Sequence, residues 1–237
     1  MTPPPRTALV TGASRGIGLA VARALAERGT RVVMLARDAA ALRSAAGAIG
    51  PGALPVACDV GDARSLDETI ARVRAELGEA PDVLVNNAGS FKLATADTAD
   101  PRDFARAIDV NLVAPFRLVR AFLPDMRARK RGHLVSIGSI ADHVAFPENS
   151  AYAASKFGLR GLHEVLRTEL IGSGVRTTLV SPGPVDTALW DEINPDERPG
   201  FTPRASMLGP DAVAAAVMFA VTQPADVNID EIRVSRA

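Results

Sequence analysis

The sequence predicts an α/β fold, a doubly wound and mostly parallel seven-stranded sheet with helices on both faces. Three observations predict it. Short β-branched runs alternate with longer Ala/Leu/Arg segments along the chain, the pattern of repeated strand–helix units. A glycine-rich stretch follows the first apolar run and opens a helical segment. Side chains with chemical capacity fall at or just after the ends of the apolar runs, the edge at which open α/β sheets bind ligands.

In order, the predicted strands cover residues 7–10, 31–36, 54–57, 82–85, 133–137, 176–180 and 229–234. The predicted helices cover residues 16–28, 39–49, 63–77, 101–129, 152–171 and 210–221. No repeat, low-complexity block or linker divides them, so residues 1–237 are expected to form a single domain. One long irregular stretch, about residues 188–208, reads as a lid or binding loop. It carries Trp190, Phe201 and Met207, which point to an apolar or aromatic partner, and Arg198 and Arg204, which point to a carboxylate or phosphate; the alternative is that either set simply faces water.

Composition narrows the function classes. Hydrophobic residues make up 47% and aromatics only 4% of the chain, so the core rests on Ala, Val, Leu and Ile. The 27 basic residues balance 27 acidic ones, which argues against a nucleic-acid or anionic-membrane binder. Cys58 is the one cysteine, so no intrachain disulfide forms and a cytoplasmic setting is expected. Residues 1–6 lack the features of a signal peptide, and the longest nearly apolar run, residues 212–221, is too short to span a bilayer. His133, His143 and His163 have no metal-ligand spacing, so no metal is expected, although His143 could line a pocket.

The glycine stretch is Thr11-Gly12-Ala13-Ser14-Arg15-Gly16-Ile17-Gly18. Glycines there let the backbone turn tightly and approach a pyrophosphate, and a helix N-terminus offers free N–H groups and a positive dipole end. No Lys follows the last Gly, so it is not an ATP-type P-loop. The second strand ends Ala36-Arg37-Asp38. An acid at that tip would bind a ribose 2′-hydroxyl, whereas Arg37 together with Arg15 suits a 2′-phosphate. Asp38 precedes an Ala-rich helix and reads as its N-cap. The balance favours NADP(H) over NAD(H).

Asn86-Asn87-Ala88-Gly89 ends the fourth strand and reads either as support for a cofactor or as an ordinary turn. Asp59 could accept a hydrogen bond from an adenine amino group or be a plain loop residue. Ser139 follows the fifth strand and could hold a carbonyl oxygen, while Ser136 within the strand is expected to be packed. Tyr152 and Lys156 stand four apart in a helical segment, on one face. A fixed ammonium beside a phenol is expected to pull its pKa down toward the working range of an acid/base. Pro115 lacks an N–H and its ring clashes with the carbonyl four residues back, that of Asn111, freeing an acceptor that a water could use as a proton path to Lys156. The alternative is a plain kinked helix.

Taken together, these residues resemble the short-chain dehydrogenase/reductase family. The likeness rests on residues 11–18, Asp59, Asn86 to Gly89, Asn111, Ser139, Tyr152 with Lys156, and Ser181 to Thr187, and so spans nearly the whole chain. It implies a Rossmann-type domain that works as a homotetramer or homodimer on a small carbonyl or alcohol substrate. Tyr152 would be the acid/base, Ser139 would steady the carbonyl, Lys156 would hold the nicotinamide ribose, and Asn111 would be the relay residue. Cofactor contacts would fall to Gly12, Ser14, Arg15, Gly16, Ile17, Gly18, Arg37, Asp59, Val60, Asn87, Ala88, Gly89, Tyr152, Lys156, Pro182, Gly183, Val185 and Thr187. The expected activity is NADP(H)-dependent interconversion of a carbonyl and a secondary alcohol. An NAD-dependent alcohol dehydrogenase and a non-catalytic dinucleotide sensor of the same fold are the alternatives. The C-terminal sequence lacks the Gly-rich ending of many members.

Overall fold

The computed structural model describes residues 5–237; residues 1–4, part of the stretch read as lacking a signal peptide, lie outside the described residues. Seven strands form one sheet: β1 (Thr7–Thr11), β2 (Arg31–Ala36), β3 (Ala53–Ala57), β4 (Val83–Asn86), β5 (Gly132–Ile137), β6 (Val175–Pro182) and β7 (Glu231–Val234). Their order is β3-β2-β1-β4-β5-β6-β7, and every neighbouring pair is parallel. The fold is Rossmann-like. Each strand lies within one or two residues of its predicted position.

Burial on both faces explains why the strands read as almost unbroken apolar runs. Ala8, Val10, Val32, Met34, Val85 and Val135 point to one side. There they meet α1 (Gly16–Ala26), α2 (Ala39–Ile49) and α7 (Pro210–Val221) through Val21, Leu25, Leu42, Val213 and Val217. The alternate positions Leu9, Val33, Leu35, Leu84 and Leu134 point to the other side. They pack on α3 (Ala63–Leu77), α5 (Ala114–Ala128) and α6 (Ser150–Glu169) through Leu66, Phe122, Met126 and Leu166. Asp38 caps α2 by accepting from the amides of Ala40 and Ala41, as its place before an Ala-rich helix predicts.

The continuous helix predicted for residues 101–129 is a correction. The structure has α4 (Pro101–Ile108), a five-residue π turn (Asp109–Val113), and then α5. Pro115 sits at the start of α5, where its missing N–H costs least. The widened turn just before it meets the steric demand that the sequence placed at Asn111. Residues 188–208 are irregular as expected, with three single 3₁₀ turns at Ala188–Trp190, Pro195–Glu197 and Arg204–Ser206.

The chain runs outward from β1 to β3 and then crosses back to place β4 on the other side of β1. That reversal opens a crevice over the ends of β1 and β4. Thr11 and Asn87 clamp its floor. The Thr11 hydroxyl accepts from the amides of Asn87 and Ala88, both at 2.9 Å, and the Asn87 Nδ2 donates to the Thr11 carbonyl at 2.8 Å. Gly12 has φ +67° and an added Cβ would meet the Ala88 Cα at 2.9 Å. A Cβ on Gly18 would lie 2.5 Å from the Asn87 Nδ2 and collide with the Gly12 carbonyl. Gly18→Ala is therefore expected to cost about 1–3 kcal/mol through overpacking. For a domain of this size that lowers the melting temperature by roughly 2–4 °C per kcal/mol. An unchanged thermal unfolding curve would contradict the tight contact.

Candidate active site

A cavity of about 1060 Å³ runs along the carboxyl edge of the sheet. One end is framed by the loop after β1, the tip of β2 and the loop after β3; the other by β5, α6 and the segment after β6. Among the residues singled out in the sequence, Ser14, Arg15, Gly16, Ile17, Arg37, Asp59, Val60, Ala88 and Gly89 line it. So do Ser139, Tyr152, Lys156, Pro182, Gly183, Val185 and Thr187. Two singled-out positions lie behind the wall. Gly18 supports the loop by lacking a side chain, and Asn111 is a buried brace. The Asn111 amide donates to the Ser90 carbonyl and the Ser155 hydroxyl, both at 2.9 Å, and accepts from the Ser90 amide at 2.7 Å. Its side chain is thus committed to holding β4's exit loop against α6.

At the first end, the amides of Gly16, Ile17 and Gly18 open α1 and have no intrahelical partner. Arg15 and Arg37 are exposed and form no ion pair within the described residues. Asp59 is already engaged. It accepts from Arg106 at 2.6 Å and from the Gly61 amide at 3.0 Å. Burial works to raise the Asp59 pKa, and the bonds from Arg106 and Gly61 outweigh it and hold the carboxyl below its usual range. Asn87, left open between cofactor support and turn, is a clamp on the glycine loop that also lines the cavity.

At the second end, α6 presents Tyr152 and Lys156 on one face, as their spacing predicts. The Lys156 Nζ lies 5.5 Å from the Tyr152 ring centre and donates to the Ile137 carbonyl at 2.8 Å. The expected electrostatics differ. Burial dominates and pushes the phenol up to about 12, a hydrogen bond with Ser139 opposes this, and the charge of Asp142 adds to the rise. Burial also pushes the Lys156 ammonium down to about 8, against the pull of Asp142. Spacing foretold nearness but not the low-dielectric surroundings, which disfavour both charged forms. Tyr152 at neutral pH is therefore a protonated phenol, ready to donate.

Asp142 is the most connected of the residues that sequence reasoning missed, with Phe91, Arg106, Arg160 and Glu231. It is fully buried, three positions after Ser139 in a capping box around a 3₁₀ turn at Ile140–Asp142. The Ser139 amide donates to it at 3.2 Å, His143 Nδ1 at 2.6 Å and Arg160 at 2.9 Å, and the Ser181 hydroxyl also donates to it. Burial works to raise its pKa, and these bonds, that from Ser181 foremost, hold it below the usual carboxylate range. Arg160 reaches on to Glu231 of β7 at 2.8 Å. The Ser-x-x-Asp spacing was the visible signal; the partners on α6, β6 and β7 were not. His143 faces Asp142, so it is not a pocket residue as the sequence allowed. Met207 is likewise buried away from the cavity instead of lining it. No metal-holding group of three or more His, Cys, Asp or Glu occurs among the described residues. Nor is any described helix long and apolar enough to cross a membrane.

The network has an acid signature. The bond from Arg160, followed by that from Arg233, lowers the Glu231 pKa from its ordinary 4.5 to about 2. A depressed carboxyl contributes stability that is fully present above 4.5 and is lost as pH falls from there toward about 2. Glu231→Gln should therefore flatten the fall of the melting temperature over that window, and a wild-type-like acid profile would refute the coupling.

The chain is similar over nearly its whole length to known proteins. A family model described as short chain dehydrogenase matches residues 6–198. An uncharacterized oxidoreductase of Staphylococcus aureus is 34% identical over 230 residues, covering 97% of this chain and 96% of that one. Among solved structures, a metagenomic short-chain oxidoreductase in complex with NADP is 37% identical, with a TM-score of 0.83 over 98% of this chain and 97% of that one. An alcohol dehydrogenase from the archaeon Thermococcus sibiricus complexed with 5-hydroxy-NADP is 30% identical, with a TM-score of 0.84 over 97% and 95% of the two chains. The chain is an oxidoreductase of the short-chain dehydrogenase/reductase family.

Proposed function

We propose that the protein interconverts a carbonyl and a secondary alcohol with NADP(H), Tyr152 serving as the acid/base. The supporting observation is the shared cavity wall, on which Ser139, Tyr152 and Lys156 stand at one end while a glycine cradle and two unpaired guanidinium groups stand at the other. The cradle fits a dinucleotide. There is no room for side chains at Gly12 and Gly18, and the start of α1 would offer its open amides to a pyrophosphate. Arg15 and Arg37 would hold a 2′-phosphate, and Asp38, spent on capping α2, does not compete for a 2′-hydroxyl. When bound, a nicotinamide supplies or accepts the hydride.

The protein's own part is proton placement and alignment. Tyr152, protonated at neutral pH, donates to the oxygen of a carbonyl as negative charge grows there. The Ser139 hydroxyl adds a second donor to that oxygen, held in place because its backbone is fixed by Asp142. Lys156, braced on Ile137, keeps a positive charge beside the phenol below its pKa of about 8, easing release of the phenol's proton. Phe91 packs edge-on against Tyr152 with ring centres 4.7 Å apart and fixes the phenol's direction.

Tyr152→Phe is expected to lower kcat by about 10²–10⁴ in steady-state assays while leaving NADP binding intact, since general acid catalysis is typically of that size. Turnover near the wild-type rate would reject the role. Alcohol oxidation needs the phenolate and should accelerate from neutral pH upward toward about 12. Carbonyl reduction needs the phenol and the Lys156 charge, and should decline above about 8. Parallel kcat/KM profiles for the two directions test this, and identical profiles would contradict it. Arg37→Asp should weaken NADP at least about tenfold more than NAD, the size of one lost charge-assisted contact. An unchanged ratio in a calorimetric titration would favour the NAD-dependent alternative.

A further inference from the structure

We propose that the site is built for an uncharged carbonyl compound bearing an aromatic ring on one side of the carbonyl. This rests on the carbonyl reading above and names its substrate class. A ladder of aromatic rings leads away from the acid/base. Tyr152 and Phe91 lie 4.7 Å apart at 62°, Phe91 and Trp190 5.2 Å apart at 78°, and Trp190 and Phe201 6.3 Å apart at 81°. All four rings line the cavity, and edge-to-face contact is a geometry that a further ring can join. The indole N–H donates to the Val185 carbonyl at 3.1 Å, so Trp190 offers the cavity an apolar surface with its polar atom already satisfied. Leu93, Phe146 and Leu189 complete the lining at this end.

The charges here are spent. Arg198 donates to Glu148 at 2.8 Å and lays its guanidinium over the Phe201 ring, 4.8 Å from its centre. Arg204 is held by Asp186 at 2.8 Å and Asp191 at 2.6 Å, and does not line the cavity. Lys92 is paired with Asp103 at 3.1 Å. Lys156 is buried and bonded to Ile137. The two signals of the 188–208 segment therefore separate: its aromatic residues face the ligand, and its arginines close the segment onto its surroundings. A carboxylate entering this end would be desolvated without a free cation to receive it, which costs far more than placing a neutral ring there.

The test uses three ketones with NADPH: acetophenone, its para-carboxylate, and butanone. The expected result is a kcat/KM for acetophenone at least about tenfold above each of the others, a discrimination of roughly one pocket contact. Phe201→Ala should raise KM for acetophenone severalfold with little effect on butanone, and Phe201→Leu should recover part of it. Glu148→Gln, which releases Arg198, should improve the para-carboxylate relative to acetophenone. Equal or better turnover of the para-carboxylate or butanone by the wild-type protein would overturn the proposal while leaving the reaction type standing. Binding is read separately through Trp190, the single tryptophan of the chain. Its emission, titrated with NADP present, should be quenched saturably by acetophenone and not by the para-carboxylate. That quenching without any turnover would uphold the substrate class and reject the redox reading. Failure of acetophenone to quench saturably would sink the substrate class.

Discussion

The whole site depends on one topological constraint, the reversal of strand order between β1 and β4, and on the small polar clamp that keeps that opening in shape. Two adjacent parallel strands whose connections leave in opposite directions cannot have their loops pack on each other, so a crevice is left above them. Thr11, which is buried, and Asn87, which borders the cavity, span it with backbone-directed hydrogen bonds. Glycine follows from that closeness: the turn after β1 and the first turn of α1 approach the clamp too tightly to carry side chains. The glycine loop, the Tyr152–Lys156 face of α6 and the aromatic ladder all line the one cavity along this edge.

Burial decides the chemistry at the other end. A phenol and an ammonium on one face of α6 would in water differ little from free Tyr and Lys. In the closed wall of the cavity each loses hydration, and each moves toward its neutral form. Asp142 stands behind both as a fixed negative charge, itself kept ionised by Ser181, His143, Ser139 and Arg160. Asp142 favours the charged lysine and disfavours the charged tyrosine, which biases both groups toward their protonated forms.

Local pattern made much of this legible in the sequence. The strands were visible because parallel strands buried on both faces are continuous apolar runs, and the glycine loop and the Tyr152–Lys156 pair because their chemistry is written in short spacings. Long-range assembly was not legible. Nothing in the sequence joins Asp142 to Ser181 and, through Arg160, to Glu231, since those contacts exist only once α6, β6 and β7 are side by side. Pro115 announced a disturbance of its helix but not its form, because a kink and a widened π turn relieve the same clash. Met207 illustrates a different limit. An apolar residue in an irregular segment can face a ligand or be packed inside, and composition does not distinguish them; here it is buried away from the cavity.

The tie between Arg160 and Glu231 has a consequence for how the protein is made. The glycine loop, its clamp and the first four strands all lie within the first 90 residues, but α1 behind that loop is covered by α7, which is made late. The carboxylate network behind Ser139 cannot close until β7 has emerged and docked beside β6. Both ends of the cavity are therefore completed only by the last elements of the chain to be made.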